Sequence, residues 1–144
     1  MPIVGPLASD FVSNATTSTN ESVPGMNFPV AAGHVYWFEF QVPVTVAATT
    51  TGIELAVDIP AVTWSAIDSS IMTTTTDESQ GTATDDAGRV FTDTAVAAGT
   101  KGVVSGFIKP SAAGEVQLRI DTDAAAAATV KAGCFGTWRD CGVV

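Results

Sequence analysis

Basic residues are scarce in this sequence. Six lysines and arginines stand against fifteen acidic residues, which gives a formal net charge of −9. Nucleic acids and anionic membranes both attract cationic surfaces, so this balance argues against either partner. Histidine is almost absent, because His34 is the only one. A lone histidine without a second histidine or a nearby cysteine makes a poor metal site, so we expect no metal and no cofactor.

Long hydrophobic runs and targeting signals are missing as well. No apolar run approaches the ~20 residues that a membrane-spanning helix requires. The N-terminal sequence MPIVGPLASDFVSN lacks the basic and the continuous apolar regions of a secretory signal. Charged residues make up only 15% of the chain, and threonine, serine and glycine supply much of its polarity. Threonine suits half-buried strands, whereas glycine and proline mark turns, so the composition favours an all-β protein.

The strongest positive signal is an alternation of apolar residues within residues 28–60. In the predicted strand His34–Val46, apolar side chains recur at every second position from Tyr36 onwards. The predicted strand over residues 53–59 repeats the pattern. Because side chains alternate between the faces of a strand, each of these strands buries one face, and a second sheet must cover it.

About eight strands are predicted, separated by turns. Together they indicate one antiparallel β-sandwich of jelly-roll type over residues 11–144, behind a short extended arm at residues 1–10. We expect a turn at residues 23–25, a long exposed loop at 73–88, a helical turn or tight loop at 123–128, and a tail at 136–144. The expected strands are an edge strand within 13–22, then 27–30, His34–Val46, 53–59, Val62–Met72, 89–94, 101–109, 115–121 and 129–135.

Three segments resemble a module of tailed-bacteriophage virion proteins. They are FPVAAGHVYWFEFQV with the following AATTTGIELAV, then KGVVSGFIKPSAAGEVQLRI, then ATVKAGCFGTWR, and together they span residues 28–139. The resemblance implies a β-sandwich, a homotrimer and a structural role without catalytic residues. In relatives the module closes a longer tail or fibre polypeptide, whereas here it follows only a short arm. We therefore expect a capsid decoration or cement protein that docks on the major capsid protein.

Other roles remain open. A tail-fibre or receptor-binding module for host-surface glycans is the first alternative, and a bacterial carbohydrate-binding module is another. An enzyme is the least favoured class, since no nucleophile-elbow motif G-x-S-x-G occurs. A virion protein would assemble in the host cytoplasm and leave the cell by lysis, which requires no secretory signal.

Six residues are candidates for interfaces. The arm offers apolar side chains that could order against a neighbouring subunit or the shell. Trp37 lies on the strand face opposite Tyr36 and is either an exposed anchor, a sugar-stacking platform, or part of a second buried face. The strand over 101–109 is apolar on both faces, which indicates burial on two sides. The candidates are Ile3, Val4, Leu7, Trp37, Phe107 and Trp138.

Two cysteines lie near the C-terminus. Six residues separate Cys134 from Cys141, and Gly136 lies between them. If the chain reverses at this glycine, the two thiols can form a disulfide in the released virion, since the two Cα atoms must approach within about 7 Å. Free thiols are the alternative, because assembly would take place in a reducing cytosol.

Two groups of acidic residues are candidate sites. Oxygen ligands could hold a calcium ion, but the spacing in the threonine-rich loop matches no known calcium loop, so a solvated loop is expected there. A carboxylate pair at a strand end would be needed for glycosidase chemistry, which sequence alone does not establish. The first group comprises Asp77, Glu78, Asp85 and Asp86, and the second comprises Asp121 and Asp123.

Overall fold

The computed structural model describes residues 1–13, 21–46, 52–72, 78–83, 89–95, 99–122 and 127–144. Within these ranges the chain forms strands and no helix. The strands are β1 (Ile3–Val4), β2 (Phe11–Val12), β3 (Glu21–Val30), β4 (His34–Val46), β5 (Gly52–Asp58), β6 (Val62–Met72), β7 (Glu78–Ala83), β8 (Arg89–Ala95), β9 (Thr100–Pro110), β10 (Gly114–Thr122), β11 (Ala128–Val130) and β12 (Phe135–Val143).

Two antiparallel sheets form a β-sandwich, which confirms the predicted fold class. The larger sheet has the strand order β1-β12-β4-β9-β6-β7. Its long strand β4 pairs along one edge first with β12 and then with β11, and β11 in turn pairs with β2. The smaller sheet has the order β3-β10-β5-β8.

Strand β4 organises the core, and its bounds agree with the prediction. Its even-numbered residues from Tyr36 to Val44 are all buried. Phe28 on the smaller sheet packs against two of them, with ring centroids 5.9 Å from Phe38 and 6.2 Å from Phe40. Aliphatic side chains of both sheets complete the core, among them Val23, Ile53, Leu55, Val57, Val104, Ile108, Val116, Leu118 and Ile120.

The turn predicted at residues 23–25 is wrong. Strand β3 runs through this position, and its pairing register with β10 shifts there, which marks a bulge. Gly25 has a φ of +74°, a backbone conformation that glycine adopts at little cost. The side-chain amide of Gln117 donates hydrogen bonds into the bulge, to the carbonyl oxygens of Val23 at 2.9 Å and Met26 at 3.2 Å. Proline and glycine here accommodate extra residues within a strand.

The tail predicted at residues 136–144 is also wrong, because β12 lies between β1 and β4 in the larger sheet. A side chain at Gly136 would place its Cβ 2.6 Å from Cδ1 of Phe40, so this glycine permits close packing instead of a reversal. Two residues later Trp138 points inward and stacks on Phe28, with centroids 5.1 Å apart and planes 8° from parallel. Trp138 is therefore partly buried against the core, and its role at an interface stays a prediction.

The N-terminal segment belongs to the larger sheet. Strand β1 pairs with β12, and β2 pairs with β11. Between them, the backbone N–H of Leu7 donates to the carbonyl of Cys134 at 2.7 Å, and the carbonyl of Leu7 accepts from Gly133 at 2.8 Å. Val4 is buried, and Leu7 packs against the core, whereas Ile3 is 67% exposed. The expectation that Val4 and Leu7 dock on another subunit is thus corrected.

Asp10 holds the far end of the same segment. Its carboxylate accepts hydrogen bonds from the ammonium group of Lys131 and, at 2.8 Å, from the backbone N–H of Ala132. These two bonds keep the pKa of Asp10 below its ordinary value. They attach the segment to the turn between β11 and β12.

Several other predictions are revised. The loop expected at residues 73–88 contains β7, which pairs with β6, and its remaining residues lie outside the described ranges. The strand expected at 129–135 is shorter, since β11 ends at Val130. The edge strand expected within 13–22 and the loop expected at 123–128 fall mostly outside the described residues.

Adjacent residues of β1 provide a matched test of this arrangement. Val4→Asp would place a carboxylate in the core, and we expect it to lower the free energy of unfolding by about 2–4 kcal/mol. Ile3→Asp changes an exposed position and should cost within about 0.5 kcal/mol. Urea denaturation followed by tryptophan fluorescence measures both. Equal stability of the two variants would show that residues 1–10 form a loose arm after all.

Gly136→Ala tests the close approach of β12 to β4. The added methyl group collides with the Phe40 ring, and overpacking of this kind costs about 1–3 kcal/mol. The neighbouring Thr137→Ala, on the opposite face of β12, should cost less than about 1 kcal/mol. Thermal or urea unfolding of both variants makes the comparison. A Gly136→Ala variant as stable as the unmodified protein would contradict the packing described here.

Candidate interaction surface

The outer faces of the two sheets differ in chemistry. On the smaller sheet, Arg119 pairs with Asp58 at 2.7 Å, and the side-chain amide of Asn27 donates to Glu115 at 3.0 Å. Asp58, Glu115 and Arg119 border a shallow groove of about 380 Å³. Ion pairs and side-chain hydrogen bonds of this kind are typical of a solvent-facing sheet. The outer face of the larger sheet carries large apolar side chains instead.

Three aromatic residues on that face form what we call the aromatic patch: Trp37, Trp64 and Phe107. Trp37 on β4 is directly opposite Phe107 on β9, and Phe107 is directly opposite Ala66 on β6. Trp64 precedes Ala66 by two positions and so projects from the same face. Phe107 is 44% exposed and Trp64 is 42% exposed. Three rings on three neighbouring strands therefore lie at one end of the outer face.

Three further apolar side chains, Ile3, Val12 and Phe135, line the margin of the larger sheet and are here called the apolar edge. Ile3 is opposite Thr137 on β12, which makes it a diagonal neighbour of Phe135, about 7–8 Å away. Val12 lies farther along the same margin on β2. The exposed fractions are 67%, 59% and 39% for Ile3, Val12 and Phe135.

The structure brings together only part of the predicted interface set. Trp37 points outward as its position in the alternation predicts, and it lies directly opposite Phe107 across the strand pair. The strand over 101–109 is not buried on both sides of this chain, since Phe107 is largely exposed. Ile3 lies on the apolar edge, away from these two aromatic residues. Val4 is part of the core, and Leu7 and Trp138 pack against it.

The sequence pattern did not identify three of the exposed apolar residues as surface residues. Trp64 alternates with Val62 and Ala66, and this pattern is equally consistent with a face directed toward the core. Phe135 follows a glycine and a buried cysteine, which read as the end of a strand. Val12 adjoins a polar stretch that carries no periodic signal. Only the strand pairing shows which of these side chains face outward.

The expected disulfide does not form. Cys134 is buried at the start of β12, whereas Cys141 is exposed near its end, and both are free. The intervening residues are extended strand, which separates the two Cα atoms by roughly 20 Å. A disulfide requires Cα atoms within about 7 Å. Burial raises the pKa of the Cys134 thiol to about 12, so this group stays protonated.

His34 lies at the start of β4, at one end of this interior strand, and has a carboxylate partner. Its Nδ1 is 2.9 Å from Oδ2 of Asp140, and Asp140 also accepts the backbone N–H of Gly142 at 2.8 Å. The Gly142 bond, followed by the His34 bond, holds the pKa of Asp140 below its ordinary value. The pair links the start of β4 to the end of β12.

The acidic candidates form no site in the described part of the chain. Asp121 is buried, and its Oδ1 accepts the backbone N–H of Thr122 at 2.8 Å. Glu78 begins β7, whereas Asp77, Asp85, Asp86 and Asp123 lie outside the described residues. Among the residues that are described, no three histidine, cysteine, aspartate or glutamate side chains gather where they could hold a metal ion. The same ranges contain no helix long and apolar enough to span a membrane.

The two cysteines should differ sharply in reactivity. We expect iodoacetamide in mildly alkaline buffer, without reductant, to alkylate Cys141 quickly in the folded protein. Cys134 should react only after denaturation, because its thiol is buried and protonated. Intact-protein mass spectrometry counts the adducts, and peptide mapping places them. Equal rates at both positions would contradict the burial of Cys134, and no reaction at either would indicate a disulfide.

Comparisons with known proteins identify no family for this chain and show one weak structural similarity. No protein-family model matches the chain, and no curated protein does. Among solved structures, the chain is similar to the CBM22-1-GH10 modules of the Clostridium thermocellum endo-1,4-beta-D-xylanase 10B, complexed with xylohexaose, with a TM-score of 0.38 and 13% identity. The match covers 94% of this chain and 25% of that one, so the chain spans a quarter of its length. A similarity this weak carries no argument about function.

Proposed function

We propose that this chain is a non-enzymatic structural protein of a tailed-phage virion. In this role it decorates or cements the capsid as a homotrimer and docks on the major capsid protein. The sequence resemblance across residues 28–139 supports the assignment to a virion. The single structural observation that carries docking is the apolar edge, where three large hydrophobic side chains are exposed along one margin of the larger sheet.

The apolar edge suits a protein partner for a physical reason. Exposed apolar side chains that lie next to one another mark interaction surfaces on soluble proteins. Ile3 projects from a strand that is firmly held, because the adjacent Val4 is buried and Leu7 is hydrogen-bonded to the β11–β12 turn. A surface held in this way loses little conformational entropy when it docks. The N-terminal segment therefore contributes to docking as part of the sheet and not as a flexible arm.

Copy number separates the capsid role from the tail-fibre role. A capsid decoration protein covers the shell and is present in large numbers, whereas a tail component is present in a handful of copies. Quantitative mass spectrometry of purified virions, with the major capsid protein as internal standard, measures the ratio. We expect a ratio characteristic of shell coverage. A ratio of a few copies per particle would reject the capsid role and favour the tail-fibre alternative.

A rebinding assay tests the docking surface. Virions grown without this gene are mixed with the purified protein and sedimented. The unmodified protein should co-sediment, whereas the double variant Ile3→Asp and Phe135→Asp should remain in the supernatant, because two carboxylates would have to be desolvated in the interface. The matched control is Trp37→Ala, which alters the same outer face away from the apolar edge and should still bind.

Circular dichroism and urea unfolding verify that each variant is folded before sedimentation. Co-sedimentation of the folded double variant at the level of the unmodified protein would overturn the assignment of the apolar edge. Failure of the unmodified protein to bind saturably would overturn the proposal that it docks on the shell.

A further inference from the structure

The aromatic patch differs from the apolar edge in its surroundings. Its rings alternate with charged and polar side chains that project from the same outer face. Arg139 is directly opposite Trp37, and Lys109 is directly opposite Trp64. Two cations therefore flank the patch, each on the strand next to the tryptophan that it faces.

The next row of the sheet supplies hydrogen-bond acceptors. Glu39 is directly opposite Ser105, and Ser105 is directly opposite Asp68. These residues are two positions along their strands from the row that contains Trp37, Phe107 and Ala66, so they project from the same face. The rings thus lie between cations and carboxylates.

Internal hydrogen bonds orient both carboxylates. The hydroxyl of Ser105 donates to Oδ1 of Asp68 at 3.2 Å, and the side-chain amide of Gln41 donates to Oε1 of Glu39 at 2.6 Å. Each carboxylate has two oxygens and several lone pairs, so one such bond leaves acceptor capacity for a ligand. The two acceptors are therefore held in place and still able to bind.

The charges around the rings cancel. Arg139 and Lys109 contribute two positive charges, and Glu39 and Asp68 contribute two negative charges. The whole chain carries −9, so this region is a neutral area on a strongly acidic protein. Arg139 is exposed, and its guanidinium has no ion-pair partner among the residues that the structure describes. The electrostatics of the region thus suit an uncharged ligand that both donates and accepts hydrogen bonds.

A protein partner fits this arrangement poorly. The centre of a protein–protein interface is depleted of charged residues, because a buried charge without a partner is costly. Docking a protein over Trp37 and Phe107 would cover the adjoining charges. A sugar ring presents an apolar C–H face to an aromatic ring while its hydroxyls hydrogen-bond at the margin.

We propose that the aromatic patch binds a neutral polysaccharide. The sugar rings stack on Trp37, Phe107 and Trp64, which are separated by one to two strand spacings of about 4.8 Å. Hydroxyl groups donate to the carboxylates of Glu39 and Asp68 and accept from Arg139. The Lys109 ammonium already donates to the carbonyl oxygen of Val144 at 2.7 Å, and its two other N–H groups are available to sugar hydroxyls. This activity goes beyond the proposed structural role and uses a different part of the outer face. A protein anchored by its apolar edge would still present the patch to solvent.

Affinity electrophoresis tests the proposal directly. The purified protein is run in native gels that contain dextran, mannan, laminarin or hydroxyethylcellulose as neutral polysaccharides. Parallel gels contain alginate, an anionic polysaccharide, or poly-L-glutamate, an acidic polymer without sugar rings. We expect retardation in at least one neutral gel and little effect of added salt, because no net charge is neutralised on binding. Poly-L-glutamate should cause no retardation.

Substitutions locate the binding surface. Trp37→Ala and Phe107→Ala should each weaken the retarding interaction about tenfold or more, as expected for stacked aromatic anchors. Val103→Ala changes a neighbouring outer-face residue of β9 outside the patch and serves as the matched control, with retardation unchanged. Near-ultraviolet circular dichroism verifies that each variant keeps its fold.

The following results would overturn the polysaccharide proposal. Unchanged mobility in every neutral gel overturns the proposal, as does equal retardation of folded Trp37→Ala and the unmodified protein. Retardation by poly-L-glutamate or alginate alone overturns it in favour of an acidic partner. The double variant Ile3→Asp and Phe135→Asp should keep polysaccharide binding while losing virion binding, so failure of one proposal is distinguishable from failure of the other.

Discussion

The packing of Phe28 against Phe38 and Phe40 is the contact on which the rest of the molecule depends. It joins the edge strand β3 of the smaller sheet to β4 in the larger sheet, and it fixes which face of β4 is buried. Successive side chains of a strand point to opposite faces, so burial of these phenylalanines obliges Trp37 to point outward. A register slip of one residue would exchange the two faces and place the charged Glu39 in the core. Burial of one face of β4 thus decides which of its residues form the outer surface.

The fold was predictable where alternation is long and uninterrupted. Thirteen residues of β4 carry a clear period of two, and the structure has the strand with the predicted bounds. The same alternation placed Trp37 on the outer face. What the alternation could not supply is the neighbour of each strand, because pairing joins residues far apart in sequence. The placement of Trp37 opposite Phe107, seventy positions later, depends on that pairing.

Glycine and proline account for most of the sequence-based predictions that the structure contradicts. Both residues punctuate turns, yet here each also serves inside strands. Gly25 relieves a bulge, whereas Gly136 makes room for the Phe40 ring. The second role depends on a partner strand that the local sequence does not reveal. The misreading of Gly136 as a reversal also produced the expected disulfide, since the two cysteines could meet only if β12 were a hairpin. Similarly, the short strands β1 and β2 have too few residues to show a period.

The outer face of the larger sheet combines two kinds of surface. The apolar edge resembles a protein-docking margin, whereas the aromatic patch has the balanced charges and hydrogen-bonding groups that suit a polysaccharide. A cryo-electron microscopy reconstruction of the whole virion tests the combination most directly. We expect this chain on the capsid shell in clusters of three, with β1 and β2 against the major capsid protein and Trp37 facing solvent. Density confined to the tail, or a Trp37 face buried against the shell, would contradict it.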